Sequence, residues 1–366
     1  MSNAGRGADR APGTTAVDPM EDLIIRGRAA MARRDYHQAV DLFALAQALS
    51  GEWNAAPSRQ LNRALRQIVP RWHFSMMNDA ARNAAYADAI ASVVGPGKLV
   101  LDIGTGSGLL ALLSARAGAD YVVSCEAEPV VAAVARQIVA ENGYEERIAV
   151  LAKPSTDLVV GTDLPARADV LVTEIFDCAL LGEGVLPTME HARREMLAPG
   201  GTILPYGARL WGMLVESREL YGRNHVGEVC EFDLSAFEQF RSLEYFSTYL
   251  DGYRHRRLTE PFPIADFDFG DEVVTDSYQV SAPISRGGIG HAVIMWFELH
   301  LCPGVSLSNG PDQPGSHWRQ AVQTLPSPVE YAAGDRIDLT ATHDGERVLV
   351  AVDRSSVGDG MCRRRA

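Results

Sequence analysis

The sequence predicts an α/β domain built on a parallel sheet, followed by a β-barrel domain and preceded by a helical hairpin. The segment Leu99–Leu113 indicates the α/β domain, because an apolar run of strand type is followed by closely spaced glycines and then a helical pattern. Short alternating runs broken by Gly and Pro indicate the barrel from about Ala208 onwards. Two stretches of helical spacing between Glu21 and Leu49, with a break at Asp35, indicate the hairpin.

Length, charge and cysteine usage narrow the class of protein. The 366 residues allow one large or two ordinary domains. The 34 basic and 47 acidic residues give a net charge of −13, which argues against a nucleic-acid partner and suits a cationic substrate. The five cysteines are scattered without a CxxC pair, so we expect reduced thiols in the cytoplasm and no metal site. The absence of a long apolar run and of a signal-peptide pattern predicts no membrane segment.

The N-terminal part is expected to be disordered over residues 1–19 and helical over 20–69. Residues 1–19 are rich in Gly, Ala, Asp and Pro and have no periodicity. The helical pair resembles one tetratricopeptide unit, which cannot bury its own apolar face. It must therefore pack on the rest of the chain, on a partner, or on a second copy of itself, and we leave intramolecular packing and dimerisation open.

The glycine-rich turn after the first predicted strand is typical of a nucleoside site. Gly104, Gly106 and Gly108 let a ligand approach the backbone closely. Asp102 lies within the motif, and Glu126 follows about one helix and one strand later, where a carboxylate can meet a ribose. The third glycine comes one residue early for a pyrophosphate fingerprint, which favours S-adenosylmethionine over a dinucleotide. A glycine turn with an incidental surface glutamate is the alternative.

Two glutamates follow a later predicted strand. Glu174 comes after the apolar run Val170–Val172, and Glu183 lies nine positions further on in a glycine-rich loop. The carboxyl edge of a parallel sheet is where open α/β domains bind ligands. Two carboxylates at that edge can hold one planar cation from two sides through charge-assisted hydrogen bonds. Solvated loop acids are the alternative interpretation.

At these motifs the sequence resembles the protein arginine methyltransferase family. VLDIGTGSGLL (100–110) resembles the cofactor motif of the family, and EIFDCALLGEG (174–184) resembles its double-glutamate loop in the form of the monomethylating type III branch. GSHWRQ (315–320) is similar to its Thr-His-Trp loop. The resemblance implies a Rossmann-like S-adenosylmethionine domain over residues 70–207 and a β-barrel substrate domain over 208–366.

The resemblance also implies individual site residues. Glu174 and Glu183 would clamp the guanidinium and act in catalysis, and Trp318 would wall the substrate pocket. His317 would bond to Asp79 and either brace the closing helix, which we favour, or relay the released proton.

The cofactor residues that the resemblance implies surround the predicted glycine turn. Arg82 would pair with the methionine carboxylate, and Ser155 and Thr156 would lie near the adenine. The full set is Met76, Arg82, Asp102, Gly104, Gly106, Glu126, Ser155 and Thr156.

The expected reaction is transfer of one methyl group from S-adenosylmethionine to an arginine guanidino group. Only two lysines occur, Lys98 and Lys153, which indicates a high-GC bacterial genome. That composition, one catalytic module and the type III-like loop together resemble enzymes that methylate free L-arginine in antibiotic biosynthesis. Free L-arginine is therefore the favoured acceptor. Arginine in proteins or peptides, another small metabolite, and a non-catalytic scaffold are the alternatives.

We expect a homodimer. Family members usually dimerise through a helical arm, and the candidate arm Tyr221–Cys230 looks short. The N-terminal helices are therefore an alternative source of the dimer contact.

Overall fold

The computed structural model describes residues 18–50, 55–272, 276–313 and 315–353. The chain divides between His73 and Phe74 into two compact units. The disorder expected for residues 1–17 lies outside the described residues, whereas Asp18 and Pro19 already form the cap and first turn of a helix.

The first unit is built from three helices. They are α1 (Pro19–Ala32), α2 (Tyr36–Leu49) and α3 (Ala55–Ile68). The break predicted at Asp35 is confirmed, because its side chain accepts a hydrogen bond from the backbone N–H of Gln38 and so caps α2. Phe43 is fully buried against small residues, and a side chain at Gly27 would collide with its ring. The helical pair is thus present, and α3 packs against it.

The second unit contains a parallel sheet of five strands. They are β1 (Leu99–Ile103), β2 (Tyr121–Cys125), β3 (Ile148–Leu151), β4 (Ala168–Thr173) and β5 (Leu197–Leu204), in the order β3-β2-β1-β4-β5. The apolar runs predicted to be strands are buried almost throughout, as expected for a sheet covered on both faces. From β1 the chain adds β2 and β3 on one side of the sheet and then crosses over to add β4 and β5 on the other side. The crevice at the carboxyl ends of β1 and β4, where this change of side occurs, is the place where such sheets bind ligands.

The helices that follow α3 are interspersed with the strands. They are α4 (Trp72–Met77, which spans the boundary between the units), α5 (Ala80–Val93), α6 (Leu109–Arg116), α7 (Pro129–Glu141), α8 (Val185–His191) and the short α9 (Arg218–Tyr221). Of these, α6 and α7 pack on strands of the parallel sheet. Asn142 and Gly143 end α7 as predicted, with Gly143 at a φ of 74°.

Antiparallel strands make up the rest of the second unit. They are β6 (Gly207–Glu216), β7 (Glu228–Val229), β8 (Phe232–Asp233), β9 (Phe246–Thr248), β10 (Arg256–Arg257), β11 (Phe262–Asp268), β12 (Ser277–Pro283), β13 (Gly288–Cys302), β14 (Val305–Ser308), β15 (Gln320–Tyr331), β16 (Arg336–His343) and β17 (Val348–Val352). The long β13 pairs with β6 on one side and β15 on the other, and β12, β16 and β17 form a separate three-stranded sheet. Gln323 of β15 bonds Val350 of β17 in both directions, so this barrel-like part is cross-linked between sheets.

The segment between α9 and β9 leaves the barrel-like part as an excursion over residues 222–244. It carries the β7–β8 hairpin and a 3₁₀ turn at Ser235–Phe240. Its large apolar side chains are exposed, namely Val229, Phe232, Leu234, Phe237, Phe240 and Leu243. The excursion is therefore longer than the stretch Tyr221–Cys230 that the sequence indicated.

Two further expectations concern thiols and membranes. The cysteines among the described residues are free thiols, and Cys362 lies outside those residues. Over the described ranges, none of the helices has the length and apolar character needed to cross a membrane.

Candidate active site

The glycine turn after β1 has a backbone shape that only glycine adopts easily. Gly104, Gly106 and Gly108 have φ angles of 84°, 52° and 81°. The N–H groups of Gly104 and Thr105 both bond the carbonyl of Cys125 on the neighbouring strand. A Cβ atom on Gly104 would lie 2.7 Å from the side chain of Ile175, so the turn and the double-glutamate loop touch here. Hydrogen bonds to the neighbouring strand thus hold the turn, and its glycines let a ligand approach the backbone closely.

Asp102 lies beneath this turn as a fully buried carboxyl group. One oxygen accepts a hydrogen bond of 2.6 Å from Ser124, whose hydroxyl lies 2.6 Å from that of Thr105. The other oxygen, Oδ1, has no hydrogen-bond partner among the described residues. Burial raises the pKa of Asp102 to about 7, and the bond from Ser124 opposes that rise. Asp102 thus supports the turn from below.

Glu126 lies at the end of β2 with its carboxylate beside the turn. Its two oxygens accept from the N–H groups of Gly106 and Glu128, both at 3.0 Å. Met76, at the end of α4, has its terminal methyl 3.9 Å from the position that a Cβ on Gly106 would take. The structure brings these predicted cofactor residues together around the turn.

Ser155 and Thr156 form a 3₁₀ turn with Asp157, shortly after β3 ends. Ser155 is buried, whereas the side chain of Thr156 is exposed. Both lie on the same edge of the sheet as Glu126, because β2 and β3 run parallel in register.

Arg82 and Glu174 form a buried ion pair across 92 positions of sequence. Nη2 of Arg82 lies 2.5 Å from Oε2 of Glu174, and the two side chains are 4% and 5% exposed. The sequence implied the carboxylate of the cofactor as the partner of Arg82, and the structure adds a protein carboxylate that sequence reasoning missed. Burial raises the pKa of Glu174, and the charge of Arg82 opposes that rise.

The guanidinium of Arg82 retains one buried donor without a partner among the described residues, Nε. Its other contacts are a 2.9 Å bond from Nη1 to Asn83 and the ring of Tyr86, whose centroid is 5.2 Å away. An orphaned buried donor suits an additional acceptor such as a ligand carboxylate. Together with the open glycine turn and the Glu126 carboxylate, it makes this cleft fit S-adenosylmethionine.

Glu183 occupies the far end of the same loop as Glu174. Glu183 as a whole residue is exposed, but the protein atoms packed around its carboxylate displace part of the water from it. This partial desolvation is the main cause that raises the pKa of Glu183 to about 7, and the negative charges of Glu174, Asp177 and Glu126 add to it. Glu183 thus lies in a site rich in negative charge that would be stabilised by a bound cation.

His317 and Asp79 meet as the resemblance implied, which confirms that contact. Oδ2 of Asp79 lies 3.0 Å from both Nδ1 and the backbone nitrogen of His317, while its Oδ1 caps α5 at the N–H of Arg82. Burial tends to raise the pKa of Asp79, and these hydrogen bonds outweigh it and lower the pKa. Burial lowers the pKa of His317, so its imidazole is neutral at neutral pH.

Trp318 is buried and its indole N–H donates to the carbonyl of Phe176, at 2.9 Å. Phe176 belongs to the double-glutamate loop, so the His-Trp segment is fastened directly to that loop. Trp318 also packs edge-to-face on Phe297 of β13, with ring centroids 5.1 Å apart.

Asn309 is a site-supporting residue that sequence reasoning missed. It is fully buried, and its amide nitrogen donates to the carbonyls of Cys178 and Arg319 at 3.1 and 2.7 Å. Its oxygen accepts from the N–H of Phe297 at 2.7 Å. One amide thus joins the double-glutamate loop, the His-Trp segment and β13. An asparagine in a polar loop gives no sequence signal for such a role.

Comparison with family models supports both halves of the second unit. Residues 87–207 match the model described as ribosomal protein L11 methyltransferase (PrmA), and residues 208–349 match the arginine methyltransferase oligomerization subdomain. Among solved structures, a Trypanosoma brucei PRMT1 enzyme-prozyme complex with AdoHcy matches with a TM-score of 0.66 at 24% identity, over 74% of this chain and 86% of the other. An Arabidopsis thaliana protein arginine methyltransferase 10 matches with a TM-score of 0.62 at 22% identity, over 73% and 86% of the two chains.

Curated relatives are more similar in sequence. An arginine N(omega)-methyltransferase of Streptomyces achromogenes subsp. streptozoticus is 42% identical over 275 residues, which cover 75% of this chain and 76% of the relative. A protein arginine N-methyltransferase 7 of Oryza sativa subsp. indica is 34% identical over 79% of this chain, and a protein arginine N-methyltransferase 9 of Mus musculus is 30% identical over 84%. The matched regions cover 46% and 40% of those two longer relatives. The chain therefore belongs to the protein arginine methyltransferase family and is an S-adenosylmethionine-dependent arginine methyltransferase.

Proposed function

We propose that this enzyme adds a single methyl group to the guanidino group of free L-arginine, as a step of a natural-product pathway. The Streptomyces relative named for arginine N(omega)-methylation supports the choice of acceptor, because the shared region covers about three quarters of both chains. The observation that carries the reaction is the loop Glu174–Glu183, in which one carboxylate is fixed by Arg82 and the other is an exposed residue that feels the charge of the first.

The two glutamates share one task in this proposal, and Glu183 has a second task of its own. Bound S-adenosylmethionine supplies an electrophilic methyl group on a sulfonium. Glu174 and Glu183 accept N–H bonds from the planar guanidinium and draw its positive charge away from the attacking nitrogen. Transfer of that methyl group would exchange a C–S bond for an N–C bond at this nitrogen, which would then release one proton. Glu183 is the acceptor for that proton, since its pKa of about 7 permits both charge states near neutral pH.

The remaining predicted residues have supporting roles. We assign the other predicted cofactor residues to the border of the cofactor cleft, namely Met76, Asp102, Gly104, Gly106, Glu126, Ser155 and Thr156. The Nε atom of Arg82 is available to the methionine carboxylate of the cofactor. His317 braces α5 through Asp79, and Trp318 forms a wall of the substrate pocket. The domain limits 70–207 and 208–366 remain part of the proposal.

A second candidate acceptor is arginine within a peptide. A cavity of about 490 Å³ lies between α8 and the turn that joins β16 to β17. Five carboxylates line it, those of Glu190, Asp271, Asp276, Asp344 and Glu346. A basic peptide would be attracted to such a surface, and the plant and mouse relatives are named as protein methyltransferases.

Mass spectrometry of the products distinguishes the two acceptors. Purified enzyme with S-adenosylmethionine is offered free L-arginine or an arginine-rich peptide in separate tubes. We expect one methyl group on free arginine and none on the peptide. Methylation of the peptide alone would support the second candidate, and a second methyl group would contradict monomethylation. Glu183→Gln should lose turnover about 100-fold or more and keep cofactor binding, whereas Glu145→Gln, at an exposed glutamate that follows α7, should retain activity.

We also propose a cytoplasmic homodimer. The free thiols of the described cysteines suit a reducing compartment. The match to an oligomerization subdomain and the exposed apolar side chains of residues 222–244 support self-association through that excursion.

A further inference from the structure

The loop that carries Glu183 has a backbone shape that its own sequence does not favour. Leu180 has a φ of 82° and is fully buried. A branched residue rarely adopts this left-handed conformation, and it persists where surrounding contacts hold it. Side chains packed around the loop must therefore hold it in this conformation.

The carboxylate of Asp177 is one such contact. Its Oδ1 accepts hydrogen bonds from the N–H groups of Ala179 and Gly182, each at 3.0 Å. A side chain at Gly182 would collide with this carboxylate. The loop is thus wrapped around a single anionic group, and Glu183 follows directly after the last N–H that this group holds.

Tyr245 of the barrel-like part holds the other oxygen of that carboxylate. Its hydroxyl donates to Oδ2 of Asp177 at 2.6 Å, although the two residues are 68 positions apart. Tyr245 is buried, and the guanidinium of Arg347 lies over its ring, 5.6 Å from the centroid, with Nη1 3.4 Å from the hydroxyl oxygen. Burial and the charge of Asp177 raise the pKa of Tyr245 well above its usual range, so the hydroxyl remains a donor.

We propose that Tyr245 and Asp177 are positioning residues that set the place of Glu183. The Tyr245 hydroxyl fixes the Asp177 carboxylate, and that carboxylate fixes the backbone from Ala179 to Gly182. The inference rests on the proposed role of Glu183 in catalysis. It differs from that role, since neither residue needs to touch the substrate.

Tyr245→Phe tests the inference by removing one hydroxyl. We expect kcat for arginine to fall about 10- to 100-fold, because small displacements of catalytic groups have effects of that size. Amide hydrogen exchange in residues 179–184 should become faster, and the cofactor Kd measured by calorimetry should stay unchanged. The matched control is Tyr331→Phe, since Tyr331 is buried and its hydroxyl has no hydrogen-bond partner among the described residues. Unchanged exchange and unchanged kcat in Tyr245→Phe would overturn the inference.

Asp177→Asn and Asp177→Ala distinguish positioning from general folding damage. The asparagine variant retains an acceptor for both backbone N–H groups, and its amide can donate to the Tyr245 oxygen, so it should retain most of kcat. It lacks the negative charge that helps to raise the pKa of Glu183. The acidic limb of its kcat/KM profile should therefore move to lower pH. The alanine variant should lose kcat and exchange protection together, and equal kcat in both variants would contradict the inference. If wild-type enzyme methylates no arginine, the proposed function fails, while the exchange data still decide whether Tyr245 holds the loop.

Discussion

Two glutamates of one loop have different electrostatic surroundings. The carboxylate of Glu174 is buried and paired with Arg82 at 2.5 Å, whereas Glu183 faces like charges from Glu174, Asp177 and Glu126. Such a separation of environments is how active sites assign distinct roles to chemically identical groups. Glu174 is therefore the fixed member of the pair, and Glu183 is the member that changes charge near neutral pH.

The raised pKa of Glu183 predicts an acidic limb in the rate profile. In the proposed mechanism the Glu183 carboxylate must be ionised to bind the guanidinium, and it becomes protonated as the pH falls through about 7. We expect kcat/KM for arginine to decrease up to about tenfold per pH unit below that value, since kcat/KM reports the free enzyme. A bound cation favours the ionised form, so the limb in kcat should lie at lower pH than the limb in kcat/KM. Acidic limbs at the same pH in kcat and in kcat/KM would contradict the assignment of this limb to Glu183. A kcat/KM profile that is flat from about pH 5 to about pH 8 would also contradict it.

At the scale of elements, the strand–turn–helix unit β1–α6 is coupled to the double-glutamate loop. Gly104 touches Ile175, the neighbour of Glu174, and the hydroxyl of Tyr86 on α5 bonds the carbonyl of Thr173 at 3.0 Å. The side chain of Thr173 bonds the carbonyl of Ile103 at the end of β1. These contacts fix the cofactor turn and the proposed substrate carboxylates to one another.

Gly104→Ala tests that coupling against a matched glycine. Gly161 has a similar φ, 90° against 84°, but has open space where a Cβ would go. Both alanine variants should lose about 1–2 kcal/mol of unfolding free energy from the left-handed conformation. Gly104→Ala should lose about 1–3 kcal/mol more, because its Cβ meets Ile175.

The two glycine variants should also differ in cofactor binding. Calorimetry should show a cofactor Kd about tenfold or more weaker for Gly104→Ala, equivalent to about 1.4 kcal/mol, and unchanged for Gly161→Ala. Denaturant unfolding gives the stability of both. If the two variants lost the same free energy of unfolding, the contact with Ile175 would make no measurable contribution to stability.

At the scale of the whole molecule, the excursion over residues 222–244 is left uncovered by the part of the chain that the structure describes. Phe232, Phe237 and Phe240 are 70%, 66% and 70% exposed. Aromatic groups this exposed and this close together typically mark a protein–protein contact. A second copy of the chain is the partner that we propose.

Phe237→Glu combined with Phe240→Glu should convert a dimer into a monomer. The two side chains are exposed in the single chain, so the charges should cost little folding stability and mainly oppose burial at an interface. Light scattering should report half the wild-type mass. Val159→Glu, at another exposed apolar position, is the control and should leave the mass unchanged. If deletion of residues 1–55 halves the mass and the double variant does not, the N-terminal helices form the dimer instead.

The order of the elements and the identity of the main motifs could be predicted from sequence because they depend on local patterns. The positive φ angles at Gly104 and Gly106 follow from what glycine alone adopts easily, and the cap at Asp35 follows from its side-chain oxygen. Two features were harder to predict from sequence: the packing of α3 against the N-terminal pair, and the extent of the excursion to Leu243. Short amphipathic segments do not specify what they pack on.

The sequence by itself determined the cofactor turn, the two loop glutamates and the family, because each is written in a few consecutive residues. Tertiary structure decided which groups meet: Arg82 with Glu174, Trp318 with Phe176, and Tyr245 with Asp177, at separations of 92, 142 and 68 positions. Such pairs depend on the path of the whole chain and on burial, which strengthens hydrogen bonds and shifts pKa values in ways that no local pattern encodes.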